Sequence, residues 1–327
     1  MSMSNLDKWI ITGGSGYVGS HIANEFIRSG MNVVVYDSQQ QGLQKRIDFL
    51  KAKHNTDIPY IIGDIRDVQT FSKVVETHEP FGIVHAAALK SVSESMLKEK
   101  EYFDVNFNGT SSILEVCKLF NVQNFIFSST AAVYGSPKDC IPIKEEDETN
   151  PISPYGASKL AAERAVTDFL KLSGNHGTSL RYFNVVGTGA PQLQDNSTEN
   201  LVPIILNKFK NGQAPVIYGT DYETRDGTCL RDYIDVRDLA RAHRLAAESI
   251  RNLPYVLNVG SGIGGTVREV INLVMQELGQ KTFEPVEALR RSGDAAAVCA
   301  DTSLIKEVLE FTPEFSLQES IKSLFHD

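Results

Sequence analysis

The 327-residue chain is poor in cysteine, in positive charge and in long apolar runs, and each shortage closes off a class of protein. Its four cysteines, Cys117, Cys140, Cys229 and Cys299, lie far apart, without the paired spacing of a zinc site or the density of a disulfide frame. They read as reduced thiols of a cytoplasmic protein. Lys and Arg number 32 against 41 Asp and Glu, and the net charge of -9 offers no long-range attraction to nucleic acid or to an anionic membrane. No stretch approaches the roughly 18 apolar residues of a membrane span, and the N-terminus from Met1 to Lys8 lacks the apolar core of an export signal. His21, His54, His78, His85, His176, His243 and His326 fall at no ligand spacing, so no metal is expected. What remains, 42% apolar and 22% charged, is an ordinary globular composition with length for about two domains.

From Trp9 to about Leu180 short β-branched runs alternate with longer amphipathic ones, the pattern of β-α-β units on a mostly parallel sheet. Strands are expected at Trp9–Thr12, Asn32–Tyr36, Ile58–Ile62, Gly82–Ala86, Asn124–Ser129 and Thr178–Tyr182. Helices are expected near Tyr17–Arg28, Gln41–Lys53, Val68–His78, Glu101–Phe120 and Pro154–Leu172, with Gly30 ending the first. The fold class is α/β, a doubly wound parallel Rossmann sheet whose ligands bind beyond the carboxyl ends of the strands. After Arg181 the rhythm breaks and a smaller α/β lobe begins. In it Leu201–Lys210 and Asp235–Ser249 look helical, and Tyr255–Val259 reads as a strand returning to the main sheet. Thr266-Val-Arg-Glu269 is a capping box, opening a helix that Gly279 stops. The division expected is 1–185 plus about 232–260 for the first domain, and about 186–231 plus 261–327 for the lobe. The acidic run Glu145–Glu148 reads as a solvated loop.

The run Trp9-Ile-Ile-Thr-Gly-Gly-Ser-Gly-Tyr-Val-Gly19 places Gly13, Gly16 and Gly19 between a strand and a helix. Missing side chains permit a tight turn and let backbone approach a pyrophosphate, to which the helix N-terminus offers unpaired N–H groups. Asp37 follows at the end of the second strand, where a carboxylate can hold both ribose hydroxyls of an adenosine. The same charge repels a 2'-phosphate, so NAD is expected over NADP. Asp64-Ile65 and Ala86-Ala87-Ala88, after the third and fourth strands, are short residues beside which an adenine and the backbone can pack.

In Asn150-Pro-Ile-Ser-Pro-Tyr-Gly-Ala-Ser-Lys159, Ser153 suits an N-cap and Pro154 the first helical position. Tyr155 and Lys159 then stand at i and i+4 on one helical face. A positive charge ~5 Å from the phenol at an effective dielectric of ~20 contributes about 3 kcal/mol, roughly two pKa units. The expectation is a phenol made acidic enough to serve as acid and base. Phe127-Ser-Ser-Thr-Ala-Ala-Val-Tyr-Gly135 ends a strand at the same sheet edge, so the Thr130 hydroxyl can bond the substrate hydroxyl that Tyr155 deprotonates.

Together these stretches resemble the extended branch of the short-chain dehydrogenase/reductase superfamily, and most closely its UDP-glucose 4-epimerase group. His85–Ser95, Tyr102–Thr110, Arg181-Tyr-Phe-Asn184, Tyr218-Gly-Thr-Asp-Tyr222 and Asp226–Ile234 carry the likeness further. The resemblance implies cofactor contacts from Tyr17, Val18, Lys90, Asn106, Ser128 and Tyr182. It also implies a UDP-sugar site lined by Lys90, Ser129, Asn184, Asn200, Leu201, Val216, Tyr218, Arg231, Tyr233, Arg291, Asp294 and Val298. In such a site Arg231 and Arg291 would clamp phosphates, and Tyr218 would offer a face to uracil.

The reaction the resemblance implies is reversible oxidation at C4 of a UDP-hexose, UDP-glucose or UDP-galactose, through a 4-keto sugar that returns hydride to its other face. A nucleotide-sugar 4,6-dehydratase or decarboxylase would need an acid beside Thr130, where Ala131 and Ala132 stand, and a non-catalytic NAD-sensing regulator would need none of these residues. The stretch 189–198 is shorter than the family pattern, and no aromatic, proline-containing tail precedes Asp327. Val298, where some members carry a bulky tyrosine, implies room for N-acetylhexosamine nucleotides. By the same resemblance Glu101–Phe120 and Pro154–Leu172 pair two copies into a homodimer.

Overall fold

The computed structural model describes residues 8–38, 43–137, 142–172, 174–197, 200–279, 284–291 and 294–325. Cys140, His326, the start of the expected helix at 41–42, the end of the stretch 189–198 and the Ser292-Gly293 part of the arginine segment lie outside those residues.

The strands are β1 (Lys8–Thr12), β2 (Asn32–Asp37), β3 (Tyr60–Ile62), β4 (Gly82–His85), β5 (Asn124–Thr130), β6 (His176–Tyr182), β7 (Asn184–Val186), β8 (Val216–Tyr218), β9 (Leu230–Asp235), β10 (Val256–Val259), β11 (Gly264–Thr266), β12 (Val286–Ala288) and β13 (Ala297–Val298). The helices are α1 (Tyr17–Arg28), α2 (Gln44–His54), α3 (Val68–His78), α4 (Val92–Ser95), α5 (Glu99–Phe103), α6 (Gly109–Leu119), α7 (Pro154–Leu170), α8 (Leu201–Lys210), α9 (Val236–Glu248), α10 (Val267–Glu277), α11 (Ser303–Leu309) and α12 (Leu317–Lys322).

Seven parallel strands form the main sheet in the order β10-β6-β5-β4-β1-β2-β3. The order reverses between β1 and β4, so their carboxyl ends open a crevice. Strand alternation sends Trp9, Ile11, Val33 and Val35 to one apolar layer, shared with α1 and α9, and Ile10, Val34 and Tyr36 to the other, shared with α3, α6 and α7. Burial of both faces explains why these strands read as near-continuous apolar runs. The expected return of Tyr255–Val259 to the main sheet is observed over Val256–Val259, with Val256 beside Ser179.

Caps fall where side chains dictate. Ser153 accepts from Gly156 N at the start of α7, with proline in the first turn. The Thr266–Glu269 capping box opens α10, and Gly279 follows at φ +63°. One expected element differs. The run Glu101–Phe120 is interrupted by a π-helical turn, Asp104–Asn108, between α5 and α6. Within it the Asn106 side chain donates to Leu89 O and Ser158 Oγ, while Thr110 Oγ1 donates to Asn106 O, so side-chain bonds hold the widened turn.

The smaller lobe is built on two sheets that the sequence hardly signals. In one, β9 is flanked by β11, β13 and β7; in the other, β12 pairs β8 in parallel. Val202, Ile205, Ile217, Tyr233, Val270, Ile271 and Val274 form its core. The acidic run is not simply a solvated loop either. Glu145 Oε1 accepts from Asn258 N at 2.7 Å, and Glu145 O accepts from Arg181 Nη1 at 3.1 Å. Among the described residues, no helix is long and apolar enough to cross a membrane.

Candidate active site

The glycine turn sits at the crevice. Gly13, at φ +68°, donates to Tyr36 O, and a Cβ there would lie 2.6 Å from Ala87 N. At Gly19 a Cβ would meet Gly13 O at 2.1 Å, so only glycine lets α1 come this close to β1. The N–H groups of Tyr17 and Val18 open the first turn of α1, where no intrahelical acceptor precedes them. Asp37 ends β2 and accepts from Ser15 N at 3.1 Å, which ties its carboxylate to the turn. A bare-backbone cradle, a helix N-terminus and a carboxylate at the neighbouring strand end fit the pyrophosphate and ribose of NAD.

Other expected cofactor residues surround this cradle. Ala86 N donates to Thr12 O and Ala87 N to Thr12 Oγ1, bringing the loop after β4 against β1. Asn106 spends its amide on that loop, accepting from Leu89 N and donating to Leu89 O, so it positions the loop. Asp64 is held by Arg66, which also reaches Asp104, and the Arg66 guanidinium keeps its carboxyl below the usual range. Ile65 packs beneath Gly109. Lys90 lies 3.5 Å from Asp195.

At the carboxyl end of β5, Thr130 stands beside the phenol of Tyr155, which enters from the first turn of α7. Lys159, one turn on, is only 3% exposed and rests its Nζ 4.1 Å above the Phe127 ring. Burial lifts the Tyr155 phenol above its ordinary range, with the neighbouring Thr130 hydroxyl working against the rise. Burial also lowers the Lys159 ammonium to about 7, against the pull of Glu163. The expected acidic phenol is therefore not a property of the chain by itself. Removing both groups from water outweighs their proximity, and the lysine charge is shared with an aromatic face. Tyr182, at the end of β6, lies near Ser128, whose hydroxyl contacts His243 Nε2 at 3.2 Å.

Ser129 departs from expectation. Strand alternation turns it toward α7, where its hydroxyl donates to Glu163 Oε2 at 2.6 Å, leaving Thr130 to face the phenol. Glu163 was missed, although it continues the Tyr155, Lys159 row at the next four-residue step. Arg46 was missed as well. It is 5% exposed and donates to Ser15 O and Gln194 O, bracing the glycine turn from below.

A cavity of about 260 Å³ opens between β7, α8, β8 and β9. Asn184, Asn200, Leu201, Val216, Tyr218, Arg231, Tyr233, Arg291 and Asp294 line it, as does Tyr17, whose hydroxyl donates to Gly187 O. Lys90, Ser129, Thr130, Tyr155 and Val298 are not part of this lining. Val298 sits in β13 beside Arg231. Two details qualify the expected roles. Arg291 already covers one face of Tyr218, with its guanidinium 3.9 Å from the ring centroid. Arg231 spends Nη1 on Leu230 O and Ala295 O and turns Nη2 toward Asp294. Asp195 and Gln194 also line the cavity, and no sequence signal marks them.

Known proteins are similar to this chain in sequence and fold. A family model described as the NAD dependent epimerase/dehydratase family matches residues 9–260. The chain is 38% identical over 319 residues to a UDP-glucose 4-epimerase of Halalkalibacterium halodurans, covering 95% of this chain and 92% of that one. It superposes with a TM-score of 0.91 on the UDP-glucose 4-epimerase of Stenotrophomonas maltophila, solved with bound NAD and formylated UDP-arabinopyranose, at 33% identity over 98% and 97% of the two chains. A UDP-Glc/GlcNAc 4-epimerase of Campylobacter jejuni is similar at a TM-score of 0.85, with 33% identity and 98% of each chain covered. With the glycine cradle and the Thr130, Tyr155, Lys159 grouping in place, the chain belongs to the NAD dependent epimerase/dehydratase family.

Proposed function

We propose that the protein interconverts UDP-hexoses at C4, UDP-glucose with UDP-galactose, using NAD that stays bound through the cycle. The observation that carries the reading is the Thr130, Tyr155, Lys159 grouping at the carboxyl end of β5, at the same sheet edge as the glycine cradle and near a cavity suited to a nucleotide. The cradle of Gly13, Gly16 and Gly19 with Asp37 would hold NAD, which when bound would supply a hydride acceptor for C4, a donor back to its other face and a positive charge beside Lys159. Tyr155 takes the proton of the C4 hydroxyl while Thr130 holds that oxygen by a hydrogen bond. Tyr155 then keeps that proton and returns it to the same oxygen when the C4 hydroxyl re-forms. Nothing is oxidised or reduced overall. Ala131 and Ala132 follow Thr130 and bring no carboxyl group for elimination, which favours epimerisation over dehydration.

Residues 1–185 with about 232–260 form the cofactor unit in this reading, and about 186–231 with 261–327 the sugar-nucleotide unit. Arg231 and Arg291 face the diphosphate, and the open side of Tyr218 takes the uracil. A valine at 298 leaves space for the N-acetylhexosamine pair. The stretches Glu101–Phe120 and Pro154–Leu172 pair two copies into a homodimer, and the protein works in the cytoplasm. The test is incubation of purified protein with UDP-galactose and UDP-N-acetylgalactosamine without added NAD. Formation of the C4 epimers supports the reading, and unchanged UDP-galactose with NAD bound refutes it.

A further inference from the structure

Behind the reacting groups lies a buried polar network that the reaction scheme does not use. Glu163 is 3% exposed and stands two turns along α7 from Tyr155, one turn beyond Lys159. Its carboxylate accepts from Ser129 Oγ of β5 at 2.6 Å, and from Arg181 of β6 through Nη2 at 2.6 Å and Nε at 3.0 Å. Arg181, 5% exposed, also donates to the Tyr134 hydroxyl at 2.8 Å, and Tyr134 donates to Asn258 Oδ1 of β10 at 2.8 Å. One carboxylate therefore links α7 to two adjacent strands at the level where β5 delivers Thr130.

Resting on the proposed epimerase reading, we infer that Glu163 is a positioning residue of the reaction centre: by fastening α7 to Ser129 and Arg181 it sets the alignment of Tyr155 with Thr130 and faces Lys159 with a negative charge. A helix that slid or rolled on the sheet by a fraction of an ångström would shift the phenol of Tyr155 relative to the Thr130 hydroxyl, and proton transfer is sensitive to that placement. An ion pair this buried is weak support for stability alone, because dehydration consumes much of its attraction. The charged and titratable groups facing the pair come from several elements. His85 of β4 lies within range of Lys159, Arg181 of β6 and Glu145 of the preceding loop face Glu163 or its partner, and Tyr182 of β6 faces Tyr155. Of these, Glu163 acts to keep Lys159 protonated.

The test compares Glu163→Gln, Ser129→Ala and the double variant Glu163→Gln/Arg181→Met with the parent, all as NAD-loaded protein. Asp238→Asn, a buried carboxylate that caps the backbone at Glu314 and Phe315, serves as a control for lost stability. Thermal midpoint, bound NAD per chain and the pH profile of kcat are read together. Glu163→Gln is expected to lower kcat at least tenfold while KM for UDP-galactose changes less than twofold, and to move the alkaline limb of kcat to lower pH, since Lys159 then loses its proton sooner. Ser129→Ala, which keeps the charge and loses only the tie to β5, is expected to lower kcat several-fold with the limb unmoved. Asp238→Asn is expected to lower the midpoint and leave kcat unchanged. Should Glu163→Gln not fold, the double variant, with neither charge left unpaired, is expected to show the same kcat loss and limb shift. Parental kcat and pH limbs in a folded, NAD-loaded Glu163→Gln or double variant would overturn the inference, as would parental kcat in Ser129→Ala. An inactive parent would instead sink the epimerase reading itself.

Discussion

Tyr155 and Lys159 show how far a local argument carries. Their spacing fixes a shared helical face, but their ionisation depends on what surrounds them: Phe127 under the ammonium, Thr130 on the phenol, and little water. Replacement of Tyr155 by Phe removes the proton carrier and is expected to lower turnover by about 10²–10⁴-fold with NAD still bound, as steady-state kinetics and cofactor content will show. Lys159 makes a prediction about stability. Its ammonium falls from 10.5 in the unfolded chain to about 7 in the fold, so the unfolded state holds the extra proton between those values and stability from this residue rises with pH across that window. Lys159→Met is therefore expected to raise the thermal midpoint of NAD-free protein at pH 6.5, and the gain should fade toward pH 10.5. A midpoint that falls at pH 6.5 would contradict the burial argument.

At the scale of elements, the contrast is between caps and close approaches. Thr266 and Glu269 satisfy each other's backbone N–H groups at the start of α10. Thr266→Ala should cost about 1 kcal/mol in urea unfolding and leave NAD content and turnover alone. Gly19→Ala places a methyl 2.1 Å from a backbone oxygen that no rotamer change can move aside, so α1 must withdraw from the turn. Overpacking of this kind costs about 1–3 kcal/mol, and bound NAD should fall sharply in the same preparation. Retention of full NAD content by Gly19→Ala would remove the cradle from the account. The elements themselves were unevenly legible. The strands of the main sheet and the helices α1, α3, α7, α8 and α10 follow from long apolar periodicities and from caps at definite residues. The π-helical turn at 104–108 and the short strands β7, β8, β11, β12 and β13 carry no comparable signal. They are two to five residues long, and their pairing is settled by neighbours distant in the chain.

Across the whole molecule, the double layer over the main sheet encloses groups that would otherwise titrate near neutrality. Burial holds the rings of His21 and His243 at about 4 and that of His85 at about 3, against 6.5 when unfolded. Each depressed value means that unfolding takes up a proton below about pH 6.5, so stability falls as the solution is acidified from there. Asp232, Asp238 and Glu145 act in the opposite sense, because burial raises them and the fold retains their protons in acid. Three buried rings that each take up a proton on unfolding are expected to make the urea midpoint drop between pH 6.5 and 5.5, and a rise over that interval would contradict it.

Read alone, the chain determined its α/β class, the glycine cradle with Asp37, the Tyr155/Lys159 face and Thr130 at a strand end, since each rests on spacing within a few turns or on a strand boundary. Only the tertiary structure decided that Ser129 turns away to Glu163, that Arg46 braces the turn, that Arg291 covers Tyr218 and that Asp195 enters the cavity. Those contacts join residues 31 to 148 positions apart. They depend on which strand lies beside which, on the side of the pleat a residue takes, and on how much water is expelled, quantities that a linear pattern does not contain.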